Sequence, residues 1–162
     1  MKYCVDTSFL LDAWRRKYPP EHFPPFWEYL DRLISTGEMR APEEVYYDLE
    51  KKDDEVLAWA KDRKKELFVP IDYETQQEVT SILQQFEFLV NQKTGRSSSD
   101  PWIIALAKNN ACTVITNEAR SSSPNPQTPK IPDVCLALGV RYIDTLGFIK
   151  EERLVFNSFI IR

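Results

Sequence analysis

Two rhythms alternate along this chain. Dense apolar runs at 2–5, 39–41, 67–69, 112–116 and 140–143 are separated by stretches with apolar residues three and four apart. The first rhythm predicts buried strands and the second amphipathic helices. A helix over 7–16 follows the first strand directly, and 24–36 carries Phe26, Trp27, Leu30, Leu33 and Ile34 on one face before Gly37 closes it. Pro42 suits the first turn of a helix through Val45 and Leu49. Asp53 and Asp54 start the next, with Val56, Leu57, Trp59 and Ala60. A long helix over 73–91 turns Val79, Ile82, Leu83, Phe86, Leu89 and Val90 inward.

The Ser-rich stretch 93–99 reads as a loop, and Asp100-Pro101 as a capped helix start leading through Trp102 to Lys108. Residues 121–129 are polar and broken by proline, and a loop that long is a candidate for function. Ile131 to Leu138 is a short helix ended by Gly139, with Asp133 as a cap. Val140 to Ile143 is a last core strand, Thr145 to Glu151 a final helix, and Leu154 to Ile161 an apolar tail suited to an edge strand or a contact surface. Strands joined by helical crossovers predict an α/β three-layer sandwich with a mainly parallel central sheet. No internal repeat divides the chain, so residues 1–162 read as a single domain.

Composition narrows the function. Hydrophobic residues at 43% and charged residues at 28% are those of an ordinary globular protein with a real core. No apolar run is long enough to span a bilayer and no basic-then-apolar leader opens the chain, which predicts a cytoplasmic protein with no membrane association. Cys4, Cys112 and Cys135 are widely spaced and read as buried thiols rather than a disulfide or zinc set. A net charge of −4 argues against broad affinity for nucleic acid, although a carboxylate pocket loaded with a divalent ion is locally far less negative. Among the basic clusters, Arg15-Arg16-Lys17, Lys61 to Lys65, and Lys93 with Arg96 read as solvated faces or loops. Arg120 and Lys130 flank a segment that leaves an acid, and are better placed to meet phosphate.

That acid is one of several. Asp6 and Glu118 each follow a strand directly, so a parallel sheet delivers both to one edge, where open α/β sheets keep their ligand crevice. Asp100 starts the helix before the Glu118 strand. Asp48 lies one turn after Glu44, and like charges so spaced repel unless a cation offsets them. Thr7, Ser8 and Thr116 are hydroxyls able to hold the strand-end carboxylate, cap a helix or satisfy strand propensity. His22, the only histidine, sits in a proline-rich linker, and no Ser-His-Asp or Cys-His set competes. Carboxylates without histidine point to a hard cation such as Mg²⁺, which takes oxygen ligands and keeps waters and substrate phosphate in its shell. Each acid alone also fits a cap or a solvated side chain. Trp14, Trp27, Trp59 and Trp102 fall on apolar helix faces and read as core.

Four segments resemble the PIN-domain family, the metal-dependent ribonuclease fold of VapC-type toxins. They are Val5-Asp6-Thr7-Ser8-Phe9-Leu10, Pro42-Glu43-Glu44-Val45-Tyr46-Tyr47-Asp48-Leu49, Ser99-Asp100-Pro101-Trp102-Ile103-Ile104-Ala105-Leu106-Ala107 and Val114-Ile115-Thr116-Asn117-Glu118, in the family's order. Lys130-Ile131-Pro132-Asp133-Val134-Cys135 is similar to a poorly characterised prokaryotic PIN-like subfamily. The resemblance implies Mg²⁺ or Mn²⁺ held by Asp6, Asp48, Asp100 and Glu118 as the catalytic set. Glu44 is an alternative to Asp48, since Asp stands where the family usually has Glu, and Glu118 where it usually has Asp. Thr7, Ser8 and Thr116 would support these ligands, and Arg120 and Lys130 would contact RNA.

The function so implied is a metal-dependent endoribonuclease that hydrolyses RNA phosphodiester bonds, the toxin of a toxin–antitoxin pair. Its partners would be an RNA substrate and an antitoxin protein, and a homodimer is compatible with it. A degenerate PIN-like binding or assembly module without nuclease activity is the alternative, motivated by the exchanged acid lengths. Phosphatase and receiver domains also place Asp after the first strand. They require further acids, which are missing at Ser8 and at Phe68-Val69-Pro70.

Overall fold

A computed structural model describes residues 1–51, 55–90, 98–123 and 125–156. Five strands form one parallel sheet: β1 (Tyr3–Val5), β2 (Met39–Pro42), β3 (Phe68–Val69), β4 (Thr113–Ile115) and β5 (Tyr142–Ile143), in the spatial order β3-β2-β1-β4-β5. β1 and β4 are buried at every position, as central strands covered on both faces must be. Register pairs Tyr3 with Met39 on one side of β1 and with Thr113 on the other.

The helices are α1 (Thr7–Asp12), α2 (Pro24–Ser35), α3 (Glu43–Glu50), α4 (Glu55–Asp62), α5 (Lys64–Leu67), α6 (Tyr73–Gln85), α7 (Asp100–Asn109), α8 (Ile131–Leu138) and α9 (Thr145–Glu151). The chain moves from β1 outward to β2 and β3, then returns past β1 to β4 and β5. With right-handed crossovers, that reversal puts the connecting helices α1 to α5 on one face of the sheet and α6 to α8 on the other, giving three layers. One contiguous core joins them, with Tyr3, Phe9, Leu10, Phe26, Met39, Leu49, Ile82 and Phe148 fully or almost fully buried. Phe148 of α9 meets Tyr3, Phe9 and Phe26 at ring separations of 5.3 to 6.3 Å, so the last helix closes over the first. No described helix is long and apolar enough to cross a membrane.

Several sequence expectations are corrected. The first helix changes to a π-helical turn over Ala13–Lys17. Pro42 is the last residue of β2 and the N-cap of α3, extended at ψ 153°, rather than a first-turn residue. Leu67 ends the short helix α5, so β3 begins one residue later than the apolar run. The helix expected over 73–91 stops at Gln85, because Phe86 leaves helical geometry at ψ 63°. Leu89 is still buried, from the turn that follows. β5 is an edge strand and only half-buried, not a core strand.

The Trp14, Trp27 and Trp59 indoles pack on one another at 4.8 to 6.3 Å, as expected of core residues. Lys64, read as part of a solvated face, lies 3.9 Å from the centre of the Tyr46 ring. In the tail, Phe156 packs against Tyr18, Phe23 and Phe26, while Val155 is exposed. The helix start at Asp53-Asp54, the basic pair Lys93 and Arg96, most of the Ser-rich loop and the tail beyond Phe156 lie outside the described residues.

Candidate functional site

Strand order reverses between β1 and β4, and the chain leaves these neighbours through Asp6 and Thr116-Asn117-Glu118. At such a switch point the connections part in opposite directions, and a crevice opens beyond the carboxyl ends of the strands. Asp6 stands in it. The Asp6 N–H donates to the Ile115 carbonyl at 3.0 Å, continuing the ladder, and its extended backbone then feeds α1.

The Asp6 carboxylate is buried, and two hydroxyls hold its Oδ2. The Thr116 hydroxyl donates at 2.8 Å, and the Ser8 hydroxyl donates from the first turn of α1. These hydroxyls also accept. Thr116 Oγ1 takes the Glu118 N–H at 3.1 Å, and Ser8 Oγ takes the Asn117 N–H at 3.0 Å. The exit of β4 is thus folded around the Asp6 carboxylate. Thr7, expected beside them, adds nothing there: its buried hydroxyl has no partner among the described residues.

Burial pushes the Asp6 carboxyl up to about 6; the Ser8 and Thr116 hydroxyls oppose the rise, and the Glu118 charge adds to it. Burial and the Asp6 charge together push the Cys135 thiol up to about 12. Cys4, Cys112 and Cys135 are all buried free thiols, as expected. Cys4 and Cys135 both meet the Asp6 charge, and burial raises all three thiols, so none is reactive.

Glu118 does a second job. Its Oε2 accepts the N–H of Ile131, the first residue of α8, at 3.0 Å. A carboxylate there satisfies an orphan helix donor and favours the helix dipole. It also closes the loop between them, fastening residue 118 to residue 131. Arg120 and Lys130 lie exposed on that loop.

A second acidic pair sits after β2, the next strand out. Asp48 Oδ1 makes an ion pair with Lys51 at 2.6 Å and lies 3.4 Å from the Ser98 hydroxyl. Glu44 has no such relief: its Oε2 is buried without a partner among the described residues. Its carboxyl is raised by burial, with the charges of Glu43 and Asp48 adding to that. Asp100 is buried at the first turn of α7. Ser99 is the N-cap residue there, so Asp100 is not the expected cap, and the helix dipole favours its charge.

All the predicted acids therefore emerge on the carboxyl edge. The side chains fall into an Asp6–Glu118 pair and a Glu44–Asp48 pair, coupled within each pair by charge, with Asp100 two residues beyond the Ser98 that reaches Asp48. Among the described residues, no three Asp, Glu, His or Cys side chains stand together at metal-ligating separations. The donor set still suits a hard divalent ion in kind. It is all oxygen, two of its carboxylates are held above their ordinary range by burial, and Mg²⁺ needs only one or two carboxylates beside water and phosphate.

One residue escaped the sequence reading, and another was assigned a role it does not have. Asn117 Oδ1 accepts both the N–H and the hydroxyl of Thr145, at 3.1 and 2.8 Å, tying the exit of β4 to the start of α9. Asp133 is no cap: α8 has no side-chain cap at Lys130, and both Asp133 oxygens are buried without a partner among the described residues.

A comparison with curated proteins finds no match. A family model described as a domain of unknown function, DUF4411, matches residues 3–156, which takes in every strand of the sheet and all five acids. The chain belongs to the DUF4411 family.

Proposed function

We propose that this protein is a divalent-metal-dependent endoribonuclease of PIN type, acting as the toxin of a toxin–antitoxin pair. The observation that carries this reading is the buried Asp6 carboxylate at the strand-order reversal, held by Ser8 and Thr116 and facing the charge of Glu118. A fold keeps a desolvated anion beside a second one where a cation offsets both.

Asp6 and Glu118 would hold Mg²⁺ or Mn²⁺. On the neighbouring helix Glu44, rather than Asp48, would complete the acidic wall, since Lys51 already neutralises Asp48. A bound divalent ion supplies Lewis-acid stabilisation of the charge that develops on a phosphodiester under attack. The protein's own part is placement. Ser8 and Thr116 fix one oxygen of Asp6, Ile131 fixes one of Glu118, and the exposed Arg120 and Lys130 stand on the loop able to meet phosphate. In the reaction a water oxygen bonds to phosphorus and gives up a proton, one bridging P–O bond breaks, and the departing oxygen takes a proton.

The test is cleavage of single-stranded RNA with Mn²⁺ by the wild-type protein and by Asp6→Asn. Metal-dependent cleavage lost in Asp6→Asn supports the nuclease. The separation of the acids into two pairs favours the second reading, a module that binds without cutting. Metal binding without cleavage by the wild type would select it.

A further inference from the structure

Asn117 stands between Thr116, which holds Asp6, and Glu118, which faces it. Its backbone N–H donates to Ser8 Oγ at 3.0 Å, and the Glu118 N–H donates to Thr116 Oγ1. A hydroxyl has a single proton. Accepting these N–H groups leaves the Ser8 and Thr116 protons for Asp6 Oδ2, so the backbone at 117 and 118 aims both hydroxyls at the carboxylate.

The Asn117 side chain reaches the other way. Its Oδ1 accepts the N–H and the hydroxyl of Thr145, the buried first residue of α9, at 3.1 and 2.8 Å. That helix is a firm anchor. Phe148 packs on Tyr3, Phe9 and Phe26. At its far end Glu152 accepts from Lys2, Tyr3 and Tyr29, and Glu151 pairs with Arg141. Thus α9 runs from the carboxyl edge to the start of β1 and is fastened at both ends.

The residue type suits the place. The Thr145 N–H can only donate, so the Asn117 atom facing it is the carbonyl oxygen, and the amide nitrogen is left buried without a partner among the described residues. A carboxylate would accept both donors and orphan nothing. It would also set a third negative charge beside an Asp6 already raised by burial and by Glu118. A neutral acceptor makes the link without that repulsion.

We propose that Asn117 is a positioning residue of the acidic site: anchored to α9, it holds the backbone N–H groups that aim Ser8 and Thr116 at Asp6, and so fixes the Asp6 carboxylate relative to Glu118. Its functional meaning rests on the nuclease reading, in which that spacing serves a shared divalent ion. Groups that orient the ligands of a metal set its affinity without touching it.

Three variants separate this link from the stability of α9. Asn117→Ala removes the acceptor. Thr145→Val keeps the shape, loses one of the two donors, and carries the test where Asn117→Ala fails to fold. Asp144→Ala removes the other contact at the start of α9, the Gly147 N–H held by Asp144 Oδ1 at 2.7 Å, and leaves the Asn117–Thr145 contact in place. In the metal-free protein, amide exchange at residues 117 and 118 should quicken about tenfold in Asn117→Ala and about threefold in Thr145→Val. Asp144→Ala should leave both unchanged and quicken Gly147 instead. Mn²⁺ affinity, read by titration of its paramagnetic resonance signal, should fall about tenfold in Asn117→Ala and roughly threefold in Thr145→Val, and hold in Asp144→Ala. Exchange at 117 and 118 indifferent to both Asn117→Ala and Thr145→Val would overturn the proposal. So would a wild-type Mn²⁺ affinity that both variants retain, or one that Asp144→Ala lowers as far, which would mark a general loosening of α9. A wild type that shows the exchange pattern but binds no Mn²⁺ would uphold Asn117 as the residue that sets the acids and count against the nuclease reading alone.

Discussion

Thr116 donates its hydroxyl to Asp6 Oδ2 at 2.8 Å, so the carboxyl ends of β4 and β1 are joined by a side chain where their backbones part. Thr116 continues the ladder on its other side, giving its N–H to Ile143 at 3.0 Å. The residue therefore fixes the distance between the buried acid and the loop bearing Glu118 and Arg120.

Asp6 makes stability depend on pH. Its carboxyl stands at about 6 in the fold against an ordinary 3.8. An acid raised on folding favours the fold while protonated, and that contribution disappears as pH climbs through the folded value. As pH rises from below 4 to above 6 the metal-free protein should lose roughly 3 kcal/mol on this account. Asp6→Asn should lack the loss, so urea melts of the two proteins at pH 4 and pH 7 should diverge by that order. Parallel pH profiles would remove the buried charge from the argument.

Metal should reverse the penalty. At about a hundredfold excess over its dissociation constant, an ion that binds only the folded state adds ~2.7 kcal/mol, or roughly 5–10 °C in melting temperature for a chain of this size. Mn²⁺ should raise the wild-type melting temperature by that order, and Asp6→Asn and Glu118→Gln by far less. An equal rise in all three would place the ion elsewhere.

Glu118 carries a structural load separable from its charge. Glu118→Ala removes the acceptor for the Ile131 N–H and should cost about 1 kcal/mol, as a lost helix cap does, with faster amide exchange at Ile131. Glu118→Gln keeps an acceptor oxygen and should preserve both. Exchange at Ile131 unaltered in Glu118→Ala would mean that the loop is held by other contacts.

Arg120 and Lys130 should account for part of the salt dependence of RNA binding. Replacing both with Ala removes two cationic side chains from the loop and should lower the slope of log affinity against log salt by about 1.4 for a single strand. Filter binding over a salt series reads it. An unchanged slope would take phosphate contact away from these residues.

Much of the sheet was legible because strands buried on both faces leave dense apolar runs, and the acids could be placed on one edge because β1 and β4 run parallel. The ends were harder. Nothing in the apolar spacing through Leu89 and Val90 announces that the chain turns at Phe86, since no glycine or proline marks it. Ser8 and Thr116 beside Asp6 were found because each is a neighbour along the chain of a strand-end acid. The Glu118 contact with Ile131 spans thirteen residues and leaves no local trace. The choice between Glu44 and Asp48 rests on Lys51, a pairing that spacing allows but does not require. Asp133 resembled a cap in sequence, and only its burial shows otherwise.

The register of β1 bears on how the protein is made. Tyr3 and Val5 find their partners at Met39, Thr113 and Ile115, and the loop beyond is fastened at Ile131. Closing a span of that length costs entropy before any contact returns it, which delays the central pairing. During synthesis, Asp6 leaves the ribosome more than a hundred residues ahead of Thr116 and Ile131. A nascent chain therefore has Asp6 and its neighbour Ser8 but neither Thr116 nor Ile131, and the carboxylate edge takes shape only once the chain has been made through Ile131.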